Sequence, residues 1–220
     1  MNYLCAVAFL YLSHAIPSAP GMRARLFERL GARNFRIFYS TLSSVAALWF
    51  IWAYVTTDIS GMVYAPLPGS AHIAVLLMPL ALFAMVARIA TPFGELSEPR
   101  PVRGIYRITR FPGSLGVLLW SLIHLAATGD LKRVLAFFVF ALIALTALIK
   151  NERVLAREER AVAKAFRSET ALLPFGKGVG LGFTGLKEVD WKVILGVAVL
   201  YVGLLVLHPF ILGVGPLDRL

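Results

Sequence analysis

Long apolar runs alternate with short polar and basic stretches along this chain. A helix needs about 20 mostly apolar residues to cross a bilayer, and six runs approach that length. They predict six membrane-spanning helices at about Tyr3–Pro20, Ile37–Thr57, His72–Ala90, Phe111–Gly129, Leu131–Ile149 and Val193–Val214. The pattern therefore predicts an all-α, polytopic membrane bundle, and we treat residues 1–220 as a single domain.

The links between these runs refine the predicted topology. Pro17 and Pro20 end the first run early, because proline breaks the hydrogen bonding of a helix. The residues before this run carry no basic side chain, unlike a secretory signal peptide, so we expect the run to be retained as a span. Only Gly129 and Asp130 join the fourth and fifth runs. Glycine ends a helix and aspartate caps one, which predicts a tight antiparallel hairpin.

The stretch between Lys150 and Lys192 predicts a surface helix followed by a linker. Its apolar residues repeat at helical spacing and its basic residues lie opposite them, which is typical of a cytoplasmic amphipathic helix on the membrane surface. The glycine-rich stretch 176–185 is expected to be flexible. The apolar stripe consists of Val154, Leu155, Ala161, Val162, Ala165 and Phe166, and the basic face of Arg153, Arg157, Arg160, Lys164 and Arg167.

Composition and charge support the membrane assignment. Hydrophobic residues make up 59% of the chain and charged residues 15%, whereas soluble domains have about 45–50% and about 25%. The net charge of +10 comes from basic residues that cluster in alternate connections, as the positive-inside rule requires of cytoplasmic loops. We therefore expect a bacterial-type inner membrane, both termini outside, the lipid bilayer as partner and no nucleic acid. The basic connections contain Arg23, Arg25, Arg29, Arg33 and Arg36, then Arg100, Arg103, Arg107 and Arg110, and then residues 150–192.

Two histidines lie inside predicted spans, His14 in the first and His124 in the fourth. An ionisable side chain at membrane depth is costly and marks a candidate functional site, although a single histidine also serves as polar contact between helices. Two imidazoles on facing helices are able to bind one metal, and an apolar heme with histidine ligands suits a membrane interior. Zinc requires more ligands than these two, and Cys5 is poorly placed to add one. The two histidines differ in predicted depth by up to roughly 10 Å at about 1.5 Å per residue, which helix tilt would have to absorb.

Other polar residues are weaker candidates. His208, before Pro209, is either a ligand or a capping residue, and His72 is expected at the interface. Arg107 and Arg110 are three residues apart and face one side; they either anchor the helix end or bind an anion such as a heme propionate, a phosphate or a substrate carboxylate. Glu158 lies on the apolar side of its predicted helix, where pairing with Arg107 or Arg110 is one option.

Short sequences spread over nearly the whole chain resemble the NnrU family. They include Leu12-Ser13-His14, Gly104 to Arg110 followed by Pro112, Ile123-His124-Leu125, Pro174-Phe175 and Leu207-His208-Pro209. The family includes bacterial proteins associated with nitrogen-oxide respiration and the plant-type 15-cis-zeta-carotene isomerase, a membrane enzyme with heme b. The resemblance implies heme b with His14 and His124 as axial ligands. It also implies a redox-gated isomerase of an apolar small-molecule substrate or a factor in denitrification.

Two departures from the family pattern affect these expectations. Phe111 stands where the family usually has histidine, and Ser121 stands where the isomerase has cysteine, so proton transfer and thiolate ligation at these positions are not expected. The C-terminal half also faintly resembles isoprenylcysteine methyltransferases, with Arg110 and Glu158 near S-adenosylmethionine. A third possibility is a non-catalytic accessory subunit.

Overall fold

A computed structural model describes residues 1–91 and 101–219 of the chain. Within these two ranges the regular structure is helical, with one isolated bridge between Met62 and Asp130 and no β-strand. The prediction of an all-α fold is confirmed. The helices are α1 (Asn2–Ser18), α2 (Pro20–Thr56), α3 (Ser70–Ala90), α4 (Pro112–Ala127), α5 (Leu131–Ala156), α6 (Ala161–Glu169), α7 (Val179–Lys187) and α8 (Trp191–Leu212), with 3-10 turns at Gly104–Arg107 and Leu217–Arg219.

Each of the six predicted spans forms a helix. Four of these helices, α2, α3, α5 and α8, are long and apolar enough to cross a membrane. Helix α4 is apolar but has 16 residues, and α1 has 17, so both fall below the usual spanning length of about 20. The chain is a multi-pass membrane protein with two short helices packed among longer ones.

The membrane helices pack in the order α2, α1, α5, α4, α3 and α8. Small and aromatic side chains fill the interface of α1, α2 and α5, around Tyr3, Ala46, Phe50 and Val139. Helix α8 lies at the end of the row against α3, and Val197 is its one buried residue. The other faces of α8 are apolar and exposed, as suits a helix surrounded by lipid.

The two ends of this row differ in charge and structure. At the hairpin end, which we define by residues 57–69 and 128–133, Val63 N–H donates to the carbonyl of Gly129 at 2.8 Å. The carboxylate of Asp130 caps α5 by accepting from Arg133 N–H at 3.0 Å, so the predicted hairpin and its cap are confirmed. We define the opposite, basic end by the connections that carry Arg23, Arg110 and Lys150, and most of the other charged residues lie there. Arg100 lies outside the described residues.

Two predicted non-membrane segments fold differently from expectation. The first basic connection is helical, because α2 begins at Pro20 and reverses direction at a kink at Gly31, where φ is 75°. The predicted amphipathic helix is two helices, since α5 continues to Ala156 and α6 starts only at Ala161. Between them the carboxylate of Glu158 accepts from the backbone N–H of Arg160, which supports a turn in place of a continuous helix.

The predicted flexible linker is also wrong, because most of it forms α7. Its glycines allow close packing instead of mobility. A Cβ on Gly185 would lie 2.6 Å from the carbonyl oxygen of Gly104, and one on Gly182 would lie 2.2 Å from the ring of Phe175. Only glycine therefore lets α7 approach the turn at Gly104–Arg107 this closely.

Candidate functional site

His124 is held in one orientation by the helix that carries it. Its Nδ1 lies 2.8 Å from the carbonyl oxygen of Trp120, and because a carbonyl only accepts, Nδ1 carries the hydrogen and donates. The ring stacks on Phe137 of α5, with centroids 4.3 Å apart, and lies beside Trp120 at 4.9 Å. In the neutral imidazole Nε2 is then unprotonated, and it has no hydrogen-bond partner among the described residues. This is the tautomer in which a histidine binds a metal through Nε2.

His14 and His208 have the same arrangement on other helices. Nδ1 of His14 donates to the carbonyl of Leu10 at 2.8 Å, and Nδ1 of His208 donates to that of Val214 at 2.6 Å. Both rings are half-buried and leave Nε2 as the available nitrogen. His72 is exposed in the first turn of α3, in agreement with the predicted interfacial position.

The structure does not bring His14 and His124 to one metal. The ring of His124 lies against Phe137, whereas Tyr11, one turn before His14, reaches Thr146 of α5 at 3.3 Å. Phe137 and Thr146 are nine residues apart, or about 14 Å along α5 at about 1.5 Å per residue, and His14 lies still closer to the basic end. Two ligands of one metal would place their Nε2 atoms within roughly 4 Å of each other, since metal–imidazole bonds measure about 2 Å.

The packing order of the helices adds a lateral separation to this difference in level. Helix α5 lies between α1 and α4, and His14 packs toward Tyr39 of α2, 6.4 Å between ring centroids. The predicted difference in depth agrees with the levels at which Tyr11 and His124 contact α5. Among the described residues no group of three or more His, Cys, Asp or Glu side chains is placed to hold a metal.

His208 lies toward the same end of the bundle as His124. His208 is near the C-terminal end of α8 and His124 near that of α4, and both of these helix ends lie toward the hairpin end. The contacts of the intervening segments support this placement. Tyr201 of α8 donates its hydroxyl to the carbonyl of Val75 at 2.7 Å, which fixes the level of α8 on α3. Leu67 N–H, just before α3, donates to the carbonyl of Ala126 on α4 at 3.1 Å.

Arg110 is a structural cation that joins three elements. It is 6% exposed, and its guanidinium donates to Glu152 of α5 at 2.6 Å, to the hydroxyl and carbonyl of Thr170 at 2.8 and 2.6 Å, and to the carbonyl of Arg167 at 2.9 Å. Every nitrogen of the group has a partner in the protein. Arg110 is therefore not available to bind a ligand anion.

The other predicted ion pairs also have different partners. Arg107 pairs with Glu188 at 3.0 Å, and the same carboxylate accepts from Gly104 N–H at 2.7 Å. Glu158 pairs with Arg160 at 2.9 Å and not with Arg107 or Arg110. Hydrogen bonds from the Arg160 side chain and backbone hold the pKa of the Glu158 carboxyl below its usual range. The predicted anion site at Arg107 and Arg110 is thus occupied by carboxylates of the chain itself.

A cavity of about 510 Å³ opens at the basic end between α3, α4, α5 and α6. Its walls in the membrane region are apolar, and its mouth is polar. The described residues that line it include no histidine, cysteine or methionine, so it is separate from the candidate ligand histidines. Arg88 lines the mouth from the last turn of α3, and no motif or spacing in the sequence distinguishes it from the other basic residues at helix ends.

Comparison with known proteins identifies one family. The family model described as NnrU protein matches residues 3–216, nearly the whole chain. No curated protein and no solved structure matches the sequence of this chain.

Proposed function

We propose that this chain, which belongs to the NnrU family, binds heme b inside the membrane with His124 as an axial ligand. The observation that supports this proposal is the orientation of the imidazole. The Trp120 carbonyl holds the hydrogen on Nδ1, which leaves the Nε2 lone pair for iron. Heme is apolar enough for the bilayer and takes histidine as its usual protein ligand, and it would supply redox-active iron there.

The neighbours of His124 support the same role. Phe137 stacks on the imidazole and Trp120 lies at its edge, so the ring is fixed before any ligand binds. A fixed ligand loses little conformational freedom on metal binding, and the backbone carbonyl on the other nitrogen is the usual partner of a metal-bound histidine.

For the second axial position we propose His208 in place of His14. Both histidines present Nε2, but only His208 lies toward the same end of the bundle as His124. His14 lies toward the opposite, basic end of the bundle, one turn beyond the contact of Tyr11 with Thr146. Its predicted role as a ligand therefore requires a metal other than the one bound by His124.

Only the family resemblance indicates what activity such a cofactor would have. The resemblance implies either a redox-gated isomerase of an apolar substrate or a role in nitrogen-oxide respiration. Ser121 is fully buried and donates to the carbonyl of Val117 at 2.8 Å, so a hydroxyl stands where a second, thiolate ligand would be required. The methyltransferase alternative gains no support, because Arg110 is saturated and Glu158 lies away from it. An accessory subunit would bind heme without turnover of its own.

Absorption spectra of the purified protein, expressed with adequate heme, test this proposal. We expect a Soret band in the wild type, its loss in His124→Ala, and a change from six- to five-coordinate iron in His208→Ala. His72→Ala is the matched control, since that ring is exposed, and both it and His14→Ala are expected to leave the spectrum unchanged.

Two results would contradict parts of the proposal. A wild-type protein without a Soret band, or a full band in folded His124→Ala, would exclude heme ligation by His124. Loss of the band in both His14→Ala and His124→Ala, with no effect of His208→Ala, would exclude His208 and restore the pair predicted from the sequence.

A further inference from the structure

We infer that the cavity at the basic end binds a single-chain anionic amphiphile, with Arg88 holding its carboxylate or phosphate and the apolar wall between α4 and α5 holding its chain. This inference does not depend on heme binding. It rests on the polar groups that line the cavity and on the charge around them.

Three polar side chains at the cavity mouth make no hydrogen bond or ion pair with another described residue. They are the guanidinium of Arg88, the hydroxyl of Ser114 and the amide of Asn151. Arg88 forms no ion pair with any described carboxylate, in contrast to Arg110 at the same mouth. Polar groups that converge without partners on an apolar pocket are typical of ligand sites.

The position of Arg88 is fixed by its neighbours. Its stem crosses α4 at Gly113, where a Cβ would lie 3.3 Å from the Cγ of Arg88. Its guanidinium lies 5.9 Å from the ring centroid of Tyr106, a cation–π contact that orients the group without neutralising it. A charged donor held in place this way suits a carboxylate or phosphate, which arginine binds through two parallel hydrogen bonds.

The charge around the cavity selects an anion. Glu152, next to Asn151 on α5, is bound to Arg110 and Arg167, and no carboxylate among the described residues lines the cavity itself. Within the described part of the chain, the local charge that remains is the positive charge of Arg88. An anionic group would satisfy it at a partly desolvated position, where an ion pair is worth more than at an open surface.

The remainder of the cavity suits a hydrocarbon chain. Small residues on facing helices, Gly113 on α4 and Ala144 and Ala147 on α5, leave the space open, and Val117 and Ile143 close its inner end. From Asn151 to Ile143 the wall extends eight residues, or about 12 Å along α5. A carboxylate or phosphate at the mouth therefore continues naturally into a chain directed toward the membrane interior.

Binding of a spin-labelled fatty acid to the purified full-length protein in a neutral detergent tests the inference, with its methyl ester as the uncharged probe. We expect the acid to bind about tenfold or more tightly than the ester, as a charge-assisted hydrogen-bonded pair would give. Arg88→Gln should reduce acid binding to the level of the ester, and Arg88→Lys should restore part of it. Arg103→Gln, at an exposed position outside the cavity, should leave it unchanged.

The shape of the cavity is tested separately. Ala147→Phe fills the wall and should weaken both probes, whereas Leu145→Phe, on an exposed face of α5, should weaken neither. Equal binding of acid and ester in the wild type would overturn the inference without any variant. An equal effect of Arg88→Gln and Arg103→Gln would also overturn it, because it would indicate attraction to a basic surface only.

Competition identifies the chemistry of the anion. Displacement of the fatty acid by an alkyl phosphate, and not by inorganic phosphate at the same concentration, would assign the site to an amphiphile. Displacement by inorganic phosphate alone would assign it to a free anion and overturn the role of the apolar wall.

Discussion

Arg110 illustrates how a charged residue is stabilised at the boundary of the membrane. Its guanidinium is buried, and it joins the start of α4 to Glu152 on α5 and to the end of α6. Breaking a buried charge pair by removing one partner costs about 3–5 kcal/mol, since it leaves the other group uncompensated. The bond from Arg110 to the Thr170 carbonyl also closes the connection after α6, so this residue holds the basic end together.

We expect Arg110→Lys to destabilise the protein by about 2–4 kcal/mol, because lysine keeps the charge but loses the planar set of donors. Thermal unfolding in detergent measures the change. Arg107→Lys is the matched control: its pair with Glu188 is 28% and 31% exposed, and such pairs contribute about 1 kcal/mol or less. Similar losses in the two variants would show that Arg110 is an ordinary surface anchor.

At the residue scale the sequence correctly predicted the features that are decided by neighbouring residues, such as turns and helix caps. Gly129 and Asp130 indicated the hairpin and the cap correctly, because capping is decided within four residues. The partners of Arg110 and Glu158 were wrong, since Thr170 and Glu152 reach Arg110 only after the chain has folded over 40 residues or more. The sequence shows no sign of a role for Arg88 for the same reason. Its distinguishing feature is that no carboxylate among the described residues pairs with it, and this appears only in the packed structure.

Helix α7 shows that glycine content alone does not distinguish a linker from a tightly packed helix. Its stretch has the composition of a flexible segment, but Gly185 faces the backbone of Gly104 at a distance that no side chain permits. Glu188, just after α7, then accepts from both Gly104 N–H and Arg107. Close backbone approach and this carboxylate together attach α7 to the turn before α4.

We expect Gly185→Ala to destabilise the basic end by about 1–3 kcal/mol, the usual cost of overpacking, and to expose α7 to protease. In Gly180→Ala, in the same helix, the added Cβ meets nothing within 4 Å. That variant should be neutral or more stable by up to about 1 kcal/mol, because alanine favours helix more than glycine does. Limited proteolysis and thermal unfolding measure both, and a stabilising effect of Gly185→Ala would contradict the packing role of α7.

At the scale of elements the six apolar runs predicted six helices with only small errors at most ends. Helix α3 starts two residues early and α8 lies two residues earlier than expected. The larger errors occur where basic residues interrupt an apolar pattern, at α2 and between α5 and α6. At these places the helix continues past the apolar segment into basic sequence, so a pattern based on hydropathy makes the predicted helix too short.

The arrangement of the whole molecule explains why its two candidate sites are separate. The helices lie in a row with α5 between α1 and α4, so His14 and His124 face different neighbours, and the cavity opens at the basic end, away from His124 and His208. Packing order and register between helices are not encoded in hydropathy. The sequence therefore indicated which residues were unusual but not which of them meet.

The orientation of this row in the membrane is testable from its charge asymmetry. The basic end carries most of the Lys and Arg side chains, whereas the hairpin end has Lys132 and Arg133 next to an acidic cap. The positive-inside rule therefore predicts that the basic end faces the cytoplasm and that both termini face outward.

Cysteine labelling in a Cys5→Ser background measures this orientation directly. Ser60 at the hairpin end and Ser168 on α6 are both exposed serines, which makes them a matched pair for substitution. Ser60→Cys should react with a membrane-impermeant maleimide in cells whose cytoplasmic membrane is intact. Ser168→Cys should react only after lysis, because the bilayer keeps the reagent from the basic end. The reverse pattern would invert the topology, and it would place the mouth of the cavity, with Arg88, on the outer side of the membrane.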